Sequence, residues 1–512
     1  MTHLCVAIFV TDLPKAKRDI AIAAEAGADI VELRIDQFTD PRQLPPLLDR
    51  SLLPCIVTCR PTSEGGRCEL PSPERLTLLL AAQAEKASYI DIELETIRHT
   101  NVPPDCRPFM VSSHDFTGRP ERLYNILDEL NASPASVAKI VWTARSIRDN
   151  LEAFEILQHR TKPTIAFCMG EHGLISRILT KKFGGFLTFC TLDNDPGTAP
   201  GQIPISDMKE LYRWDFITQK TKVYGVVANP VKHSMSPAIH NAAFDAINYD
   251  GIYLPLLVEP SYESFKAFIE EFVNFDGLNL AGLSITIPHK QNALRYLQQK
   301  NAEVEPLAQS IGSVNTIIID RTSSTPRLRG INTDYAAILD SITAKLNITR
   351  QDLAGRNVAV LGAGGTGRTA VAALAHYGAT VTVYNRTRDR ADELAREFGQ
   401  PPGNVAAAPL ESLPHCTCPI IINTTSVGMS PNVDQSPLGQ APPPLGPDNL
   451  VFDSVYNPMK TRLLAQAQAA GALTISGVEM FVRQAVAQFE AWTGQRAPSD
   501  VMRQVIERRL AP

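Results

Sequence analysis

The sequence has no uninterrupted apolar run of membrane-spanning length, which excludes a transmembrane helix as its organising feature. It also lacks an excess of basic charge. The formal net charge is −5 with 20% of residues charged, both signs mixed, so no positive field exists to hold nucleic acid or an anionic membrane surface. Regular cysteine spacing is missing too. Nine cysteines stand at positions 5, 55, 59, 68, 106, 168, 190, 416 and 418, an odd number without a repeated interval, which reads as reduced, mostly buried thiols. The close pair Cys416-Thr417-Cys418 has no His or Cys partners at ligand spacing, so no metal is expected. The apolar run within Met1 to Val10 is too short for a secretory signal and has no basic flank, giving the expectation of a cytoplasmic protein without a cleaved leader. Small-molecule chemistry is what these absences leave.

What is present is apolar material for more than one core: 512 residues, 44% of them hydrophobic, predict at least two domains. Eight short β-branched runs punctuate the first part of the chain: Leu4 to Val10, Ile30 to Asp36, Cys55 to Arg60, Tyr89 to Leu94, Phe109 to Asp115, Val137 to Thr143, Thr164 to Met169 and Leu187 to Leu192. Each is followed by a helix or a helix-length segment, the pattern of a closed (β/α)8 TIM barrel over residues 1–218. A polar stretch, Gln219-Lys220-Thr221-Lys222, then precedes a fresh strand, Val223 to Val227. From there a mixed αβ segment is expected over 222–335 and a Rossmann dinucleotide-binding domain over 336–475. Helices are expected over 476–512, returning to the segment that begins at 222.

Barrel geometry places the C-terminal ends of strands at one mouth. Glu32 and Arg34, Arg60, Glu93 and Glu95, and His114 and Asp115 all fall at such ends. Lys139 lies inside the apolar run Ala138 to Trp142, where burial disfavours the ammonium form and favours a nucleophilic amine. A lysine of this kind forms a Schiff base with a ketone. The resulting iminium acidifies the neighbouring carbon, and His114 is the candidate base, a role that contributes about 10²–10⁴-fold.

Farther on, Val358-Ala359-Val360-Leu361 runs into Gly362-Ala363-Gly364-Gly365-Thr366-Gly367, with helix-like Arg368 to His376 beyond. The glycines permit the tight turn and close approach of a pyrophosphate, and the helix N-terminus supplies free N–H groups. The next strand, Thr380 to Tyr384, ends in Asn385-Arg386-Thr387 where an NAD enzyme carries an acidic residue for the ribose hydroxyl. Arginine at that place favours a 2′-phosphate, hence NADP(H), with Arg390 as an additional or merely solvated charge.

Several segments, in order and spacing, resemble the type I 3-dehydroquinate dehydratase family across nearly all of residues 1–215: Glu32-Leu33-Arg34-Ile35-Asp36, Thr58-Cys59-Arg60 with Glu64-Gly65-Gly66, Ser112-Ser113-His114-Asp115-Phe116, Lys139-Ile140, Ser176-Arg177 and Ala199-Pro200-Gly201-Gln202. The resemblance implies that Lys139 attacks the C3 ketone, that His114 moves the C2 proton and that Glu64 orients His114. It further implies that Glu32, Arg34, Arg60, Arg177 and Gln202 hold the substrate. Thr198 stands where that family commonly has serine, which keeps the hydroxyl.

Residues 223–510 resemble shikimate dehydrogenase through Asn229 to Pro237, Ser284 to Lys290, Ser313-Val314-Asn315-Thr316, Asn332-Thr333-Asp334, Asn423 to Met429 and Gly477 to Phe481. By that resemblance Lys290 and Asp334 are the catalytic pair and Ser234 and Ser236 bind the substrate carboxylate. Thr286, Asn315, Tyr456 and Gln484 contact the rest of the substrate, and Gly477 adjoins the cofactor. Met459-Lys460-Thr461-Arg462 departs from the usual Thr-Pro after Asn457-Pro458. The two halves together imply 3-dehydroquinate, 3-dehydroshikimate and shikimate as small-molecule ligands, in a fused, multifunctional lyase and oxidoreductase of aromatic amino acid biosynthesis. Two alternatives stay open: a regulator of quinate use that keeps these folds without catalysis, against which Lys139, His114, Lys290 and Asp334 speak, and a dehydrogenase that also oxidises quinate.

Overall fold

Eight parallel strands account for the first sheet in the computed structural model, which describes every residue except 39, 104, 105, 107, 402, 403 and 512. They are β1 (His3–Phe9), β2 (Ile30–Arg34), β3 (Cys55–Thr58), β4 (Tyr89–Glu93), β5 (Phe109–Asp115), β6 (Val137–Thr143), β7 (Thr164–Met169) and β8 (Leu187–Cys190). Their ladder runs β7-β6-β5-β4-β3-β2-β1-β8, a barrel wall with β7 and β8 at its two ends. The expected barrel is found, with helices or short helical turns between the strands.

Side chains alternate across each strand, so residues two apart share a face. The barrel interior is filled at one level by Ile30, Ile56, Met110 and Val137, all buried in one cluster. The same parity carried toward the strand ends gives Glu32 and Arg34, Thr58 and Arg60, Asp91 and Glu93, Ser112 and His114, and Lys139. The core thus turns from apolar to ionisable along its own axis.

After the barrel, β9 (Lys222–Ala228) and β10 (Gly251–Leu257) pair in parallel. The next strands are β11 (Leu280–Ile285), β12 (Glu303–Val304), β13 (Thr316–Asp320) and β14 (Arg327–Ile331). β13 pairs antiparallel with both β11 and β14, while β12 joins β14 in parallel, so this segment is mixed as expected. The last sheet contains β15 (Asn357–Leu361), β16 (Thr380–Tyr384), β17 (Asn404–Ala408), β18 (Ile420–Asn423), β19 (Leu450–Asp453) and β20 (Leu473–Ile475). Its order, β17-β16-β15-β18-β19-β20, all parallel, is the doubly wound dinucleotide-binding topology. The chain divides into two compact units, residues 1–233 with 250–280, and 234–249 with 281–512.

The helical ending is two helices, Gly477–Thr493 and Ser499–Leu510. Gly494, at φ +67, ends the first in a left-handed cap that only glycine adopts cheaply. Trp492 fixes the first helix by donating its indole N–H to Ile317 O at 3.1 Å. Among the described residues no helix is long and apolar enough to cross a membrane.

Candidate active sites

At the barrel mouth a cleft is lined by Glu32, Arg34, Arg60, Glu64, His114, Lys139, Arg177, Thr198 and Gln202, so the residues expected there come together. Lys139 is 4% exposed. Its Nζ lies 2.9 Å from Asp91 Oδ2 and 3.3 Å from Glu32 Oε1, and 4.5 Å from the centre of the Phe189 ring. An apolar sleeve was the expectation. Two carboxylates meet the amine instead.

His114 Nδ1 faces Glu64 Oε2 at 2.8 Å, which leaves Nε2 for chemistry. Burial, aided by the charges of Arg60 and Lys139, pushes the imidazole well below the ordinary histidine range. Burial also raises Glu64 to about 7, against the pull of Arg60 and with help from Glu93 and Asp91. The turn carrying Glu64 requires the glycines after it. Gly65 has φ +74, and a Cβ there would lie 2.1 Å from the Phe116 ring, while one on Gly66 would lie 2.0 Å from Arg60 O.

The three arginines differ. Arg34 spends Nε and Nη2 on Asp36 at 3.1 and 2.7 Å. Arg60 gives Nη1 to Glu93 and Ser112 and sets Nη2 2.8 Å from Asp91, so it braces the barrel's own carboxylates. Arg177 is 1% exposed, stacked 4.3 Å over Phe167, with Nη2 donating to Pro200 O at 3.2 Å and with Nε and Nη1 buried without a partner. Burial brings its guanidinium down to about 10. Two buried donors are thereby left open to an acceptor. Gln202 Oε1 accepts the N–H groups of Thr198 and Ala199 at 2.7 and 3.1 Å and its Nε2 reaches Thr198 Oγ1, closing the loop over this side.

Two expected mouth residues stand elsewhere. Glu95 is exposed on the helix Leu94–His99, paired with Arg98 and His99, and Asp115 caps the turn at Thr117 and Gly118. Asp91 and Ser112 were missed. Asp91 shares the parity of Glu93 and Ser112 that of His114, so the signal was the two-residue alternation within an apolar strand.

In the second unit Lys290 Nζ lies 2.6 Å from Asp334 Oδ2. Lys290 opens the helix Lys290–Gln299. Asn332 caps the helix Thr333–Leu346 by accepting the Asp334 N–H, which fixes the aspartate. Asn315 accepts from Thr333 N at 2.8 Å and donates to Thr333 Oγ1 at 3.0 Å, so much of its amide holds this cap. Gln488, one turn beyond the expected Gln484, donates to Thr316 Oγ1 at 3.0 Å. Gln484 donates to Phe481 O, and the Tyr456 ring rests 5.1 Å from that of Phe481. Ser234 Oγ accepts the Ser236 N–H at 3.3 Å, and Thr286 lies half-buried ahead of Lys290 in sequence.

The glycine-rich turn fits a dinucleotide. A Cβ on Gly364 or Gly365 would meet no atom within 4 Å, leaving the space over the helix Gly365–His376 clear, whereas one on Gly367 would strike Gly362 O at 2.1 Å. Ala363 N donates to Asn385 Oδ1 at 3.1 Å, tying the turn to the end of β16. Thr366 is half-buried in the first turn of that helix, and Arg386, Thr387 and Arg390, which follow Asn385 in sequence, are exposed. Gly477 packs against backbone, a Cβ there falling 2.5 Å from Val455 O, next to Tyr456.

A parallel barrel with a buried lysine and a histidine–carboxylate pair, joined to a dinucleotide-binding fold with a lysine–aspartate pair, defines a fused lyase and oxidoreductase. Residues 4–219 match the family Type I 3-dehydroquinase. Residues 226–317 match the shikimate dehydrogenase substrate binding domain, 344–442 Shikimate / quinate 5-dehydrogenase, and 477–507 the Shikimate 5'-dehydrogenase C-terminal domain. The bifunctional 3-dehydroquinate dehydratase/shikimate dehydrogenase of Arabidopsis thaliana, named chloroplastic, is 38% identical over 99% of this chain and 84% of its own length. The NADP(+) shikimate dehydrogenase of Methanosarcina barkeri is 39% identical over 56% of this chain and 97% of its own. A crystal structure of shikimate dehydrogenase in complex with NADP+ superposes with a TM-score of 0.51 at 32% identity, covering 58% of this chain and 98% of that one. The chain belongs to the family of bifunctional 3-dehydroquinate dehydratase/shikimate dehydrogenases.

Proposed function

We propose that this chain dehydrates 3-dehydroquinate to 3-dehydroshikimate in the barrel and reduces that product to shikimate, with NADPH, in its second half. The reading is carried by the convergence of Lys139, the His114–Glu64 pair and the two open donors of the Arg177 guanidinium on one cleft. Arg177 takes the substrate carboxylate, because its buried Nε and Nη1 gain partners only when an anion arrives. Lys139 adds to the C3 ketone and expels water, giving an iminium that acidifies C2. His114 removes the C2 proton through Nε2, with Glu64 balancing the imidazolium, and returns it to the departing hydroxyl. Hydrolysis then frees the enone and Lys139.

In the second half Gly362, Ala363, Gly364, Gly365, Thr366 and Gly367 cradle the pyrophosphate, and Asn385, Arg386, Thr387 and Arg390 receive the adenosine 2′-phosphate. When bound, the reduced nicotinamide supplies hydride. Lys290 stabilises and protonates the oxygen that becomes the hydroxyl, and Asp334 holds the ammonium in place. Ser234 and Ser236 take the carboxylate, and Thr286, Asn315, Tyr456 and Gln484 the remaining faces. The functional division falls at 1–218, 222–335, 336–475 and 476–512, and cysteines that form no disulfide support the cytoplasm as the compartment. Borohydride added during turnover of 3-dehydroquinate tests the barrel reading. A reduced adduct mapped by mass to Lys139 is expected, and an adduct elsewhere or none overturns it.

A further inference from the structure

Asp91 is fully buried on β4, with Oδ2 2.9 Å from Lys139 Nζ and 2.8 Å from Arg60 Nη2, while Oδ1 accepts the Ser112 hydroxyl at 2.5 Å. The strand register sets this up by pairing Asp91 with Thr58 across β3 and Ser112 with Lys139 across β6. Arg60 is itself braced by Glu93, and Glu93 by Arg75, so Asp91 is clamped by groups that take no part in the chemistry. A buried carboxylate so fixed cannot follow a moving amine. It can only define where positive charge is stable.

Resting on the Schiff-base reading of Lys139, we infer that Asp91 is the fixed counter-ion of the Lys139 iminium and positions the amine before it forms. The charge balance supports the role. An ammonium and a ketone become an iminium and one water: the N–C bond forms, the C–O bond breaks, two ammonium hydrogens leave with the oxygen and one stays on nitrogen. The nitrogen therefore bears one positive charge before and after, opposite the same carboxylate. Removal of the C2 proton makes a neutral enamine and moves the charge to His114, where Glu64 waits at 2.8 Å. One carboxylate thus serves each end of the proton's path, Asp91 at the nitrogen and Glu64 at the imidazole.

The test is the rate of adduct formation under rapid quench with borohydride, read by intact mass, with dehydratase kcat and KM measured alongside. Asp91→Asn keeps the shape and removes the charge. Adduct rate and kcat should fall roughly 100-fold, with KM for 3-dehydroquinate changed by less than about threefold. Asp91→Glu restores the charge one methylene away and should recover part of the loss. An unchanged adduct rate in Asp91→Asn overturns the inference. If that variant no longer binds product, Asp91→Glu decides: adduct formation with KM retained supports the role of a charge at this place, and no adduct despite a retained KM overturns it. Absence of any adduct in the unmodified protein brings down the Schiff-base reading itself, and this inference with it.

Discussion

Glu64 Oε2 sits 2.8 Å from His114 Nδ1 and also accepts the His114 backbone N–H at 3.2 Å, so one carboxylate oxygen fixes both the ring and the strand that bears it. Burial holds His114 neutral across the neutral pH range and raises Glu64 to about 7. Below that value Glu64 carries a proton and cannot balance an imidazolium. Above it, the carboxylate can. Dehydratase kcat should therefore rise with pH through about 7. Glu64→Gln should lower kcat and flatten that limb, as a pH–rate profile of the enone signal would record.

Lys139→Met removes the nucleophile and leaves Asp91 and Glu32 without their shared cation. Dehydratase turnover should disappear, and the melting temperature should drop, since an uncompensated buried charge costs about 3–5 kcal/mol. Reduction of supplied 3-dehydroshikimate by NADPH should continue, because the dehydrogenase residues belong to the other compact unit.

Arg177→Met makes the opposite pattern. The guanidinium is buried with Nε and Nη1 unpaired, so its removal gives up the bond to Pro200 O and the stack on Phe167 but also relieves two unmet donors. The melting temperature should stay level or rise. KM for 3-dehydroquinate should increase by the equivalent of about 2–5 kcal/mol, the cost of leaving a bound carboxylate unmatched.

Gly364→Ala separates folding from cofactor binding. Gly364 has φ −80 and a Cβ there meets nothing within 4 Å, so the protein alone should tolerate the methyl group. The close approach of the pyrophosphate should not. KM for NADPH should rise at least tenfold by order of magnitude, with the dehydratase unaffected. Arg386→Ala should instead lower the preference for NADPH over NADH by roughly 10–100-fold, the worth of a charge-assisted hydrogen bond.

Lys290→Met should cut the dehydrogenase by about 10²–10⁴-fold, and Asp334→Asn should weaken it by freeing the ammonium held at 2.6 Å. In both variants 3-dehydroshikimate should accumulate from 3-dehydroquinate, visible as an enone that NADPH no longer removes.

Much of this was legible beforehand for a physical reason. Strands buried on both faces read as mostly apolar runs, Val137–Thr143 interrupted within by Lys139 alone and Thr164–Met169 apolar after its first residue, and their limits agree with the sequence to the residue. At β3 the run to Arg60 overshot by two residues, because Cys59 and Arg60 already belong to the turn that presents Glu64. Pairings across the barrel were less legible. That Arg60 braces Glu93, and that Asp91 meets Lys139 from 48 positions away, depends on barrel closure, which no local pattern encodes. The helices expected over 476–512 are there, but their division at Gly494, a left-handed cap, is not marked by the apolar periodicity on either side.

The most direct test is sequential: add the purified chain to 3-dehydroquinate, follow the conjugated enone by absorbance, then supply NADPH and follow its oxidation. The account predicts enone first, then loss of enone matched by NADPH consumption. Enone that persists beside unconsumed NADPH would contradict the second site, and no enone at all would contradict the claim that this chain is an enzyme of two consecutive steps.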